Sequence, residues 1–220
     1  WLARLPAVVG ALCMLCRWGP EAPAMRSVCP EWVRQRKADH LAGLGGEAGF
    51  VSTNDVLTSG ILNTGRFEFG YMSINLRNRG LCGLGAEHAG TYVHRVHFWP
   101  SEFRAPGLIR RAISSPPRFC AAGARVPDAL RSLSVRGGVV ANWATLYQDV
   151  ELPGGCSQVV HFPVVPYPLP GYGAALIFRP TRDTIGVSYF VRDREAMGAL
   201  RQSGMFGPEL GLGRRDCPSP

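Results

Sequence analysis

Lysine is almost missing from this chain: Lys37 stands alone among 24 basic residues, and the other 23 are arginines. The formal charge of +8 therefore rests on guanidinium groups, and these are scattered, with tight groups such as Arg34/Arg36, Arg77/Arg79, Arg110/Arg111 and Arg214/Arg215. A nucleic-acid binder needs a stripe or block of cations that follows a phosphate backbone, and none is present. With 27 glycines and 18 prolines alongside, the arginine excess reads as compositional drift, and nucleic acid is set aside as a partner. The seven cysteines are odd in number and spread over the full length, without the density of a disulfide-stapled secreted domain, which places the protein in a reducing, cytoplasmic compartment. Cys13 and Cys16 form a CxxC with no second CxxC or CxxH to complete a tetrahedral set, so no metal is expected. Residues 5 to 16 are an apolar run closed by Arg17, too short for the roughly twenty residues that cross a bilayer.

Catalytic signatures are missing as well. There is no GxSxG, no Walker-type loop, no HExxH, and no GxGxxG between a strand and a helix. A general base is usually a histidine with a partner that orients it, and none of the five has one in sequence. His40 falls near the end of a polar helix, and His88 in a glycine-rich turn. His94 and His97 fall on opposite faces of one predicted strand, and His161 in another.

What is present is an alternation of helix and strand patterns. Pro30 at a first turn and Gly45-Gly46 at an end predict a surface helix over residues 31–44, with Trp32, Val33 and Leu41 inward. Ser52-Thr53-Asn54-Asp55 supplies N-cap residue types just before the apolar stretch 56–62, the start of a short buried helix. Residues 67–76 alternate with apolar groups on both faces, the pattern of a strand inside a covered sheet. Further strands are predicted over 92–99, 138–147, 158–164, 174–178 and 184–191, and further helices over 106–114, 126–133 and 193–202. The proline-rich stretch 164–170, and Tyr172 after it, read as a turn between strands. The domain division is an apolar opening and proline-rich connection over 1–29, a layered α/β domain over 30–205, and a loose tail over 206–220.

Three segments in order carry a family likeness: residues 51–58 around Thr53-Asn54-Asp55, residues 74–79 with Arg77 and Arg79 followed by Gly90-Thr91-Tyr92, and residues 142–149 from Asn142-Trp143 to Asp149. In this order they resemble the C-terminal half of the chloramphenicol-acetyltransferase-like superfamily of CoA-dependent acyltransferases, which includes the BAHD enzymes, wax-ester synthases and peptide-synthetase condensation domains. The closing strand Val187-Ser188-Tyr189-Phe190-Val191 and the helix around Glu195-Ala196-Met197 are similar to that family's last strand and helix. The likeness covers about residues 30 to 205.

The resemblance implies a single α/β lobe, a mixed sheet covered by helices, forming the second half of a two-lobe protein. Acyl-CoA would be the co-substrate, with a small-molecule alcohol or amine as acceptor. It also implies that the histidine of the family's HxxxD motif lies in a missing N-terminal lobe upstream of Trp1, since none of the five histidines here is followed by Asp at the fourth position. The family's aspartate loop survives only as Asp149 and Gly154, and its role there implies that Asp149 pairs with Arg77 or Arg79 in a partly buried site.

The residues also have plainer readings. Asn54 and Asp55 suit a helix start, where they cap amides and meet the positive dipole end. The other reading places Thr53 or Asn54 on a tunnel near the acyl or acceptor group. Asn142 and Trp143 read equally as a core aromatic with a satisfied strand amide or as walls of that tunnel. The competing function is a degenerate, non-catalytic lobe that binds a ligand or a partner protein. A further variant is a peripheral membrane enzyme that approaches a lipid through residues 5 to 16.

Overall fold

The computed structural model describes residues 23–43, 49–78, 83–90, 92–114, 135–151, 153–155, 158–163 and 172–211. Strands are β1 (Ala24–Val28), β2 (Phe69–Asn75), β3 (Val93–Phe98), β4 (Gly137–Asn142), β5 (Tyr172–Phe178), β6 (Gly186–Phe190) and β7 (Phe206–Glu209). Helices are α1 (Pro30–Gly43), α2 (Thr53–Thr64), the single turn α3 (Pro100–Phe103), α4 (Pro106–Ile113) and α5 (Arg194–Gln202). The seven strands form one sheet in the order β3-β2-β4-β5-β6-β1-β7. The β2–β4 and β4–β5 pairs are parallel and the other four pairs antiparallel, so the layered, mixed α/β architecture expected from the sequence is what the chain adopts.

Helix α2 is the central packing element. Its Val56, Leu57, Thr58, Ser59, Ile61 and Leu62 are all buried, around more than one side of the helix, which requires neighbours on several faces. Gly70, Gly138 and Gly173 stand side by side in register on β2, β4 and β5. A Cβ on Gly138 would sit 2.8 Å from both Leu62 and Phe67, and one on Gly173 would sit 2.6 Å from the Phe67 ring. The row of missing side chains is therefore the trough into which Leu62 and Phe67 fit, and it sets how closely α2 approaches the sheet. Tyr189 of β6 and Phe206 of β7 stack at 4.6 Å and fill the other end of the core.

Several expectations are corrected. Residues 24–28, inside the stretch read as a connection, form β1, which pairs with both β6 and β7. Prolines at 23 and 30 bracket those five residues, and only the terminal Ala24 and Val28 are buried, so no alternation marked them. The tail likewise contributes β7, an edge strand, where the missing N–H of Pro208 is tolerated. The sheet therefore draws on residues outside 30–205 at both ends. The strand expected over 138–147 stops at Asn142, whose side-chain oxygen accepts the Ala144 N–H at 2.8 Å and turns the chain into a 3-10 turn over Ala144–Leu146. Over 158–163 the chain is not a strand, and His161 makes one backbone bond, to the Pro180 carbonyl at 2.8 Å. Tyr172 opens β5 instead of lying in a turn. The helix expected over 126–133, the stretch 164–170, Gly45-Gly46, the apolar run 5–16 and Arg79 lie outside the described residues. Among the described residues, no helix is long and apolar enough to cross a membrane.

Candidate functional site

The parallel strands β2, β4 and β5 end on the side where α2 begins, the end of an open α/β sheet at which ligands are commonly received. Ser52 is the N-cap of α2, extended in backbone, and its side chain accepts the Asp55 N–H, while the Asp55 carboxylate accepts the Ser52 N–H at 2.7 Å. This reciprocal box starts the helix and leaves the Thr53 and Asn54 backbone N–H groups without a partner in the described structure.

Asn54 and Asn142 meet here across 88 residues of chain: the Asn142 amide donates to the Asn54 side-chain oxygen at 3.0 Å. The Asn54 amide lies 3.3 Å from the Met72 sulfur of β2, a weak acceptor. Because Asn142 also holds the Ala144 N–H, one side chain ties the end of β4 to both the following turn and the helix start. Thr53 lies beside them, and its hydroxyl accepts from the ammonium of Lys37 on α1 at 3.1 Å. Trp143 follows Asn142 at the same strand end, 46% exposed as a residue, and its backbone N–H bonds the Ile177 carbonyl at 2.8 Å. The structure thus brings Thr53, Asn54 and Asn142 together, and Trp143 follows at the same strand end as a half-exposed residue. This end carries an ammonium, two unclaimed amides and two side-chain amides, a set suited to an anionic or carbonyl-bearing ligand.

Asp55 does more than cap. It is fully buried, and one of its oxygens accepts from Ser52, from Arg110 Nε at 2.7 Å and from Arg110 Nη2 at 2.6 Å, while Oδ1 has no protein partner. The partner arginine, on α4, was not singled out from the sequence, where it appears only as half of an Arg-Arg pair. Lys37 was likewise passed over, although as the one lysine it was the conspicuous cation.

The expected pairing of Asp149 with Arg77 is not found. Arg77 donates from Nε to the His88 carbonyl at 2.8 Å and from Nη2 to the Gly90 carbonyl, and it stacks 4.9 Å from the Tyr92 ring. It staples the turn after β2. Asp149 instead lies in an exposed turn, accepting the Tyr147 hydroxyl at 2.7 Å and facing Arg182 at 3.5 Å. The hydrogen bond to the Asp149 carboxylate holds the Tyr147 phenol above its ordinary pKa. The physical reason for the difference is the early end of β4: the turn at Asn142 carries Asp149 to the surface. Among the described residues, no group of three or more His, Cys, Asp or Glu side chains is placed to hold a metal ion.

No family model and no curated protein matches the sequence. Solved structures do match the fold. TRI101 of F. sporotrichioides, complexed with coenzyme A and T-2, superposes with a TM-score of 0.57 at 14% identity, over 88% of this chain and 54% of that one. TRI101 of F. graminearum with coenzyme A and deoxynivalenol gives 0.54 at 14% identity over 84% and 48%. Vinorine synthase gives 0.50 at 12% identity over 86% and 50%. The chain spans about half the length of these structures, and its fold is that of the part of each that it covers.

Proposed function

We propose that this chain is the second lobe of a CoA-dependent acyltransferase, which moves an acyl group from an acyl-CoA to a small alcohol or amine. The observation that carries the reading is the contact between Asn54 and Asn142 at the carboxyl ends of the parallel strands. It joins two segments named by the resemblance that are distant in sequence. The fold shared with structures that hold coenzyme A supports it. The residues present fit such a donor: the Lys37 ammonium and the free amides of Thr53 and Asn54 suit phosphate or carbonyl oxygens, and Trp143 offers an apolar wall. The thioester supplies the acyl group. In this reading the base that takes the acceptor proton is a histidine of a first lobe preceding Trp1, and the present residues bind and orient.

The test is calorimetric titration of the protein with CoA. Binding that weakens about tenfold in Lys37→Ala and Asn142→Ala variants supports the reading, because charged and paired amide contacts of this kind contribute roughly 1 to 3 kcal/mol. Binding unaffected by either change would sink it. The second reading is a lobe that binds a ligand or partner protein without catalysing. Release of free CoA thiol from acetyl-CoA by the full reading frame, abolished when the histidine of an upstream HxxxD is replaced, would exclude that alternative.

A further inference from the structure

A concavity opens on the helical side of the domain, between α1, α2 and α4, with a volume of about 860 Å³. Its floor is the middle of α2, at Ser59, Gly60 and Asn63, and neither Asn54 nor Asn142 lines it. Trp32, Arg36 and His40, four residues apart along α1, form one wall. The start of α4 forms the other, and it comes close because Gly107 has no side chain: a Cβ there would lie 2.5 Å from the His40 ring.

The charge of this groove is one-sided. Four arginines line it, Arg36, Arg104, Arg110 and Arg111, against one carboxylate, Asp39. Arg36 faces Asp39 at 3.4 Å and Arg110 is tied to Asp55. Arg104 and Arg111 have no acidic partner among the described residues, so two guanidinium forks are left to a ligand. The groove also has flat surfaces. The Arg36 guanidinium lies 5.5 Å from the Trp32 ring centre, and that of Arg110 lies 5.2 Å from the ring centre of the exposed Phe50. Phe50 thus stands exposed on the rim of the groove beside the Arg110–Asp55 pair.

We propose that this groove is a second ligand site, separate from the Asn54–Asn142 end, and that it takes a small flat organic anion, an aromatic carboxylate or sulfonate being the simplest class. The acid group is received by Arg104 and Arg111 in the forked geometry that guanidinium offers to oxyanions, and the ring lies along Phe50 and Trp32. The volume falls in the range of pockets that enclose a molecule of that size. The inference stands independently of the acyltransfer reading.

The probe is 8-anilinonaphthalene-1-sulfonate, followed by its fluorescence, with uncharged N-phenyl-1-naphthylamine as the matching ring system. The Arg104→Ala/Arg111→Ala double variant is expected to weaken the sulfonate about tenfold or more, and Arg104→Lys/Arg111→Lys to fall between it and the parent, because the first loses both charge-assisted contacts and the second keeps the charges without the fork. The neutral probe is expected to bind at least about tenfold more weakly than the sulfonate. Equal affinity for the two probes, or an unaffected double alanine variant with an unchanged melting curve, overturns the proposal. Competitive displacement of the probe by CoA also overturns it, because the groove would then belong to the donor's own site. Failure of CoA binding at Lys37 and Asn142, with the probe results intact, would remove the acyltransfer reading and leave this one.

Discussion

Two aspartate–arginine pairs stand at opposite extremes of environment in this molecule. Asp55 and Arg110 meet at 2.6 Å with the carboxylate fully buried beneath α4, whereas Asp149 and Arg182 face one another at 3.5 Å with both side chains more than half exposed. The resemblance pointed to Asp149 for a partly buried ion pair, and the structure has such a pair at Asp55. The difference teaches that the energetic weight of an ion pair follows from what surrounds it. In water a single contact of this kind contributes little, while a buried carboxylate deprived of its cation has no solvent to turn to.

The sharpest way to break the comparison is to remove one partner of each pair. Asp55→Ala or Arg110→Ala is expected to lower the unfolding free energy by about 3 to 5 kcal/mol in urea titration, with Arg110→Ala the more damaging because it strands a charge. A loss no greater than that of a surface mutation would place Asp55 in a wetter site than described. Next in size is Asn142→Ala, which unpairs the Asn54 oxygen and the Ala144 N–H and is expected to cost about 1 to 3 kcal/mol in the same measurement. Ser52→Ala removes the cap side of the box and is expected to cost about 1 kcal/mol, read as a lowered thermal midpoint.

Asp149→Ala is expected to leave the urea midpoint where it is. Its effect is expected in a titration of the tyrosines instead. The neutral Tyr147 phenol donates to Asp149, so its folded pKa is raised; that contribution is present below the ordinary tyrosine pKa and is lost as pH rises through the raised value. In Asp149→Ala, one of the six tyrosines should therefore ionise at lower pH in an ultraviolet titration. An unchanged curve would show that the hydroxyl is not held by the carboxylate in solution.

Local signals explain what the sequence made legible. The run Ser52-Thr53-Asn54-Asp55 announces a helix start because capping chemistry acts within four residues, and α2 begins at Thr53 with Ser52 as its cap. Asp193 before α5 is read in the same way, and its side chain accepts from Glu195 and Ala196. The partner of Asp55 was not legible, because Arg110 lies 55 residues on and only the packing of α4 against α2 selects it over its neighbour Arg111. The three glycines of β2, β4 and β5 look like turn formers or weak points in sequence; only the cross-strand register shows that they form one row under Leu62 and Phe67. Of the site, the residues Thr53, Asn54, Asn142 and Trp143 were named, but that Asn142 braces Asn54 while Lys37 reaches Thr53 could be learned only from the fold.

The place of β1 in the sheet bears on how the chain acquires its structure. β1 is the earliest described strand, yet its two neighbours, β6 and β7, are the last, with Ala24 opposite Tyr189 and Val28 opposite Phe206. During synthesis this strand must wait, with both hydrogen-bonding edges open, until nearly all of the described chain has left the ribosome. Closing such a span is slow, and the interval is one in which an unpaired edge is prone to the wrong partner. The nascent chain is therefore the form of this protein most in need of a chaperone.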